Sequence, residues 1–267
     1  MPPATKVDRV AVFFVASPLH YLAACQVAAE HEPTARHILV WYDHKVDNLV
    51  EPGAWDDSLY MPWPRFDPLP GFAGRHRRLL ENLRQVGERV GQCQTLVLHS
   101  PVYDTEAINY LLHGLTVSSG ATQCLARILP DGLLNIRRYP LSLPKRLIQQ
   151  TRRLRSLVSP SLRYTPFGGD RIGSQAPFVD RIYVLNGFVH DYPPEKVVTL
   201  GPLARAPARQ ANNGPRTALV IGQPLVEFGL MDEPARARIS HALGQWLSAQ
   251  GVEQIHYKAH PRETRYY

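Results

Sequence analysis

The sequence predicts an α/β protein of two Rossmann-like domains with mostly parallel sheets, the second of them incomplete. Three observations carry that expectation. Short apolar runs, continuous rather than alternating, recur through residues 1–203 and alternate with helical or loop segments. Residues 204–215, rich in Ala, Pro, Arg, Gln and Asn, then interrupt the pattern as a linker would. After the linker, residues 216–267 repeat the pattern once, as strand, turn, helix and strand. The expected organisation is therefore a first domain over 1–203, a linker over 204–215 and the start of a second domain over 216–267.

Taken in order, the run at residues 10–16 reads as a buried strand. Ser17 suits the cap of a following helix, Pro18 fits its first position, and Leu19, Leu22, Ala23 and Val27 share one face. Residues 37–42 form a second strand. The segment 51–74, dense in Pro, Gly and Trp, is expected to be a long loop. A strongly basic helix follows over 75–90, with Leu79, Leu80, Leu83, Val86 and Val90 inward. Residues 95–98 give a strand, 105–112 a helix, and 125–129 a strand that runs straight into Pro130-Asp131-Gly132. This alternation implies a parallel sheet covered on both faces. Pro140, Pro144, Pro160 and Pro166 then break the order, leaving a helix near 144–158 and late strands at 181–185 and 196–200. In the last unit a strand at 217–221 turns at Gly222-Gln223-Pro224, a helix covers 232–250, and a strand over 254–259 ends at His260-Pro261. Ligands of open α/β sheets bind outside the carboxyl ends of the strands. Gly222-Gln223-Pro224 and His260-Pro261 are thus expected side by side on one rim, facing a second rim from the rest of the chain.

The formal charge of +7 favours anionic partners: a nucleotide, an acidic glycan, a membrane surface or nucleic acid. Arg75, Arg77, Arg78 and Arg84, and likewise Lys145, Arg146, Arg152, Arg153 and Arg155, either cover solvated helix faces or together hold a polyanionic acceptor or an anionic inner leaflet. Nucleic acid is disfavoured, because neither region interleaves aromatic residues for base stacking. Cys25, Cys93 and Cys124 have no metal-ligand spacing, and so sparse and odd a set fits a reducing compartment. No apolar run reaches spanning length, and residues 10–16 are too short for a signal-peptide core. A cytoplasmic chain, at most peripheral at the inner membrane, is expected.

Two short motifs carry candidate chemistry, and each has two readings. Asp131-Gly132 is either a plain turn or a carboxylate fixed at a strand tip for general-base work. His260-Pro261 is either a surface residue with a strand-ending proline, or an imidazole facing a phosphate with Lys258 and Arg262 beside it.

The ordered set of Ser17-Pro18-Leu19-His20, Pro130-Asp131-Gly132-Leu133-Leu134-Asn135, Ile221-Gly222-Gln223-Pro224-Leu225 and Tyr257-Lys258-Ala259-His260-Pro261-Arg262 resembles the bacterial sialyltransferases of the GT-B type. Among them it is similar to the α-2,8-polysialyltransferase-like and lipooligosaccharide sialyltransferase-like proteins. The resemblance implies an inverting, metal-independent transfer of sialic acid from CMP-sialic acid to a glycan of capsule or lipopolysaccharide, with no cofactor beyond that donor. It makes Asp131 the general base and His260 the group at the donor phosphate, with Gly222, Gln223, Pro224, Lys258 and Pro261 around the donor. Ser17, His20, Arg77, Arg78, Arg152 and Arg153 are the candidates for the acceptor or a polyanion. No convincing Asp-x-Asp metal motif is present. Two departures matter: the first acidic position of the family's motif is Pro130, and the family's later Ser/Thr motif has no counterpart. In the lipooligosaccharide branch the base follows Gly-x-Pro, which makes Glu227 the reserve base. A catalytically inactive glycan- or CMP-binding homologue, or a transferase of another CMP-activated keto-sugar acid, are the alternatives. Two strands and one helix after residue 216 are too little for a donor domain. The expectation is a fragment of a longer protein, a truncated one, or a domain completed by a partner chain.

Overall fold

Parallel strands require long crossover connections, and this chain supplies one after almost every strand. The computed structural model describes residues 7–51, 53–66, 68–132, 138–203, 214–260 and 263. The chain divides into two compact units, residues 1–205 and 206–267. Most of the expected linker, residues 204–213, lies outside the described residues.

The larger unit holds seven strands: β1 (Val7–Val15), β2 (Arg36–Trp41), β3 (Asp57–Tyr60), β4 (Cys93–Ser100), β5 (Gln123–Ile128), β6 (Val179–Leu185) and β7 (Val197–Leu200). All pair in parallel, in the order β3-β2-β1-β4-β5-β6-β7. The chain leaves β1 toward β2 on one side and returns to β4 on the other, so the order reverses between β1 and β4. The carboxyl ends beside such a reversal are where open sheets bind ligands. Helices α1 (Pro18–His31), α2 (Gly74–Val90), α3 (Glu106–Ser119) and α4 (Leu143–Arg153) accompany the sheet, and α4 runs on into a 3-10 turn, Leu154–Leu157.

The continuous apolar run of β1 follows from burial on both faces. Val10, Val12 and Phe14 pack with residues of α2 and α3, whereas Ala11, Phe13 and Val15 pack with residues of α1. The segment 51–74, expected as loop throughout, contains β3. Its composition hid the strand, because β3 is a short edge strand. Asp57 at its start pairs with Arg89 at 3.0 Å and Arg36 at 3.6 Å, the kind of charge that guards an edge. The helix expected over 105–112 continues to Ser119 and stops at Gly120, whose φ of 60° is left-handed.

A buried charge network ties α1 to the sheet. Glu32 caps the end of α1, and its carboxylate accepts hydrogen bonds from Arg9 Nε at 2.7 Å and Arg9 Nη2 at 3.2 Å. It also pairs with Arg127 of β5, whose guanidinium reaches Asp180 of β6 at 3.1 Å. Burial pushes the Glu32 carboxyl up, but neighbouring His99, the Arg9 bonds and the Arg127 charge outweigh it and hold the pKa down to about 2. His99 is fully buried, stacked on Phe13 with centroids 4.3 Å apart. Its Nε2 lies 3.6 Å from Glu32 Oε1, too far for a hydrogen bond. Burial drives the His99 pKa down to about 4. The unfolded chain therefore binds a proton here, near pH 6.5, that the folded chain refuses until about pH 4. Folding stability should fall as pH drops through that window, by about 3 kcal/mol from this group. His99→Phe keeps the stack and removes the proton. Its melting temperature should vary less between pH 6.5 and pH 4 than that of the parent; equal slopes would assign the acid loss to another group.

The smaller unit has β8 (Thr217–Ile221) and β9 (Gln254–Lys258), parallel, with α5 (Glu233–Ala249) between them. Asp232 caps α5 by accepting from the Ala235 N–H at 2.7 Å. Its apolar surface is largely open: Leu219, Ile221, Ile239, Trp246 and Ile255 are each about half exposed or more, and Ile221, Ile239 and Ile255 line a cavity of 350 Å³. Among the described residues no helix is long and apolar enough to cross a membrane.

Candidate active site

The carboxyl edge of the larger sheet is built from the ends of β1, β2 and β5. After β1, Ser17 Oγ accepts from the His20 N–H at 3.3 Å, and Pro18 opens α1. Ser17 thus serves as the expected helix cap. The cap fixes His20 in the first turn, where its side chain is only 6% exposed. His20 Nδ1 accepts the Ala16 N–H at 3.2 Å, and Nε2 lies 2.7 Å from Asp131 Oδ1. With Nδ1 used as an acceptor, the imidazole proton is assigned to Nε2, which donates it to the carboxylate.

Asp131 arrives from the other direction. Leu129 N–H donates to Ser100 O at 3.1 Å, holding the end of β5 beside the end of β4. Gly132 has a φ of 54°, so the chain turns there, which a side chain would resist. Asp131-Gly132 is therefore a turn, and the same turn places a carboxylate at a strand tip. Asp131 is the more exposed member of the pair, at 28%. Residues 133–137, including the remainder of that motif, lie outside the described residues.

Tyr42 and Trp63, which the sequence did not single out, complete this edge. Tyr42 N–H donates to Val15 O at 3.1 Å, and its ring stacks on Trp63 with centroids 4.8 Å apart. Burial, then the nearby carboxylates of Asp131 and Asp43, push the Tyr42 hydroxyl well above its ordinary range, so it stays protonated. Tyr42 directly follows β2, and its place at a strand end was the available signal. The arrangement is a partly exposed carboxylate, backed by a buried imidazole and flanked by an aromatic pair. Chemically it can take a proton from a hydroxyl brought to it, with its orientation already fixed.

The smaller unit has its own carboxyl edge. Gly222 N–H donates to Lys258 O at 2.9 Å, so the turn after β8 and the residues after β9 are adjacent. The residue that organises this edge is Glu263, which sequence reasoning missed. Its carboxylate accepts from Tyr257 Oη at 2.6 Å and from the His260 backbone N–H at 2.6 Å, while Glu263 N–H donates to His260 O at 2.9 Å. The Glu263 carboxylate thus reaches back three residues to a backbone N–H across a turn that its own N–H closes on the His260 carbonyl. Gly222 is buried against it; a methyl group there would run into the Tyr257 hydroxyl and the Glu263 carboxylate. Pro224 is buried, His260 half-buried, and Gln223, Glu227 and Lys258 exposed. Pro261 and Arg262 lie outside the described residues.

The basic candidates differ in their surroundings. Arg152 turns inward, donating to Asp104 O at 2.9 Å and Tyr164 Oη at 3.1 Å. Arg153, its neighbour, is exposed and donates to Gln150 Oε1 at 3.1 Å. Arg78 donates to Pro68 O at 2.5 Å, while Arg77 is exposed. No protein-family model matches this chain, and no curated protein matches it in sequence.

Proposed function

We propose that the chain is a sialyltransferase-like glycosyltransferase of the GT-B type, moving sialic acid from CMP-sialic acid to a glycan acceptor with inversion and without a metal. The observation that carries this reading is the 2.7 Å bond between His20 and Asp131 at the carboxyl edge of a parallel sheet. It joins two of the motifs on which the family resemblance rests, across 111 residues of chain. In the reaction, Asp131 accepts the proton of the acceptor hydroxyl as its oxygen attacks the anomeric carbon. The bond from that carbon to the phosphate oxygen breaks, and CMP departs with the electron pair. His260 and Lys258 answer the charge that grows on the phosphate. An acidic donor and an acidic glycan also suit the formal charge of +7.

The test is release of CMP from CMP-sialic acid, followed with and without a glycan acceptor. His260→Ala should weaken CMP binding by about tenfold, the loss of a hydrogen bond to a charged group, and slow transfer. Unchanged CMP affinity by calorimetry would remove His260 from the phosphate. A chain that binds CMP yet releases none from the donor is the inactive homologue instead.

A further inference from the structure

Surface helices normally turn their apolar stripe toward the core. The helix α4 and the 3-10 turn after it do the reverse. Their inward face is polar: Gln149 is 1% exposed, its Nε2 donating to Asp104 Oδ1 at 3.2 Å and its Oε1 accepting from the Phe167 N–H at 3.0 Å. Lys145 pairs with the same Asp104 at 3.3 Å. Facing solvent are Leu143, Leu147, Leu154, Leu157 and Val158, between 60% and 81% exposed. Leu143 and Leu147, four apart, share one side of the helix, Leu154 and Leu157, three apart, share one side of the 3-10 turn, and Val158 follows it. Arg146 and Arg153 are exposed along one margin of that stripe. Single exposed leucines need no explanation, but a contiguous row of them marks a docking surface.

The chemistry beside the stripe says what docks. The loop before α2 contributes Phe66 and Phe72, 53% and 92% exposed. Together with α4 it borders a cavity of 260 Å³ whose lining includes Arg65, Arg75, Arg152 and Arg155 against one acid, Glu106. Arg75 and Arg155 both pair with Glu106, but Arg75 Nε and Arg155 Nη1 are buried with no hydrogen-bond partner among the described residues. Anionic oxygens would satisfy such donors. An apolar centre, basic margins and an adjacent cluster of four arginines around one acid are the features of a helix that lies in a membrane interface.

We infer that residues 143–158 dock the chain in plane on an anionic lipid bilayer, the leucines entering the acyl boundary and the Arg65–Arg75–Arg155 cavity taking headgroup phosphates. This goes beyond the transfer reaction proposed above and does not depend on it. The test is co-sedimentation of the whole chain with vesicles of phosphatidylethanolamine and phosphatidylglycerol, compared with phosphatidylcholine alone. Binding is expected to the anionic vesicles. Changing Leu143, Leu147, Leu154 and Leu157 together to Ser should weaken it by about tenfold or more while the melting temperature holds, because these side chains are exposed already. If that variant fails to fold, Leu147→Trp and Leu157→Trp report instead: their emission should shift to the blue on vesicles. Binding with no blue shift overturns the proposal. So does displacement by soluble polyphosphate with the serine variant binding like the parent, which would make the surface a polyanion site. A change of mass in solution in the serine variant, with vesicle binding intact, would make the stripe an interface between copies and equally overturn it.

Discussion

Asp131→Asn is expected to lower sialyl transfer by about two to four orders of magnitude, the range for removing a general base, while CMP affinity stays unchanged. The amide keeps the shape and still accepts the His20 Nε2–H through its oxygen, so the turn at Gly132 should survive. Single-turnover kinetics alongside calorimetry separate the chemical step from binding. His20→Leu is the companion variant. It removes the group that orients the carboxylate but not the carboxylate itself, so its loss should be smaller and again confined to turnover. If Asp131→Asn turns over like the parent while Glu227→Gln abolishes transfer, the base belongs to Glu227.

The second large effect concerns stability. Glu32→Ala should destabilise the larger unit by about 3–5 kcal/mol, the usual cost of stranding a buried charge. Arg127, 3% exposed at its side chain, would keep Asp180 and a 3.5 Å hydrogen bond to Tyr183 Oη, and Arg9 would lose the Glu32 carboxylate. Denaturant unfolding measures the difference. Most of the penalty comes from the abandoned guanidinium rather than from the lost attraction. Changing Glu32 to Leu together with Arg127 to Met should therefore recover much of it. A single-variant loss under about 1 kcal/mol would mean that water reaches the network and screens it.

The strands of the larger sheet were legible because burial on both faces writes itself as an uninterrupted apolar run, as at Val10 to Val15. Edge strand β3 was not, since Asp57 and the surrounding prolines look like loop chemistry. Asp131 was legible as a candidate from its place at a strand end, but its partner was not. His20 lies 111 residues away, and only the parallel order of β1, β4 and β5 brings the two together. Glu32 reads as one more surface acid at the end of a helix, because nothing local announces that Arg9, His99 and Arg127 converge on it. Glu263 was hidden for a related reason. The His260-Pro261 motif points to the imidazole, whereas the contacts with Glu263 run through the His260 backbone. The inversion of α4 was half legible: its cations were noted, but the inward face was decided by Asp104, far away in sequence.

Helix α1 is clamped at both ends. Its first turn holds His20 against Asp131, and its last residues carry Glu32 into Arg9 and Arg127. With 14 residues it is a rigid bar, about 21 Å long at 1.5 Å per residue. Such a bar behaves as a lever. If the far clamp slackens, the whole bar is free to shift against the sheet, and a displacement of about 1 Å at the imidazole end is a misplacement that can cost about a hundredfold in rate. Substitutions at Glu32 that leave the chain folded would therefore surface as poor catalysts, and their defect would be one of aim, at a distance from any reacting atom.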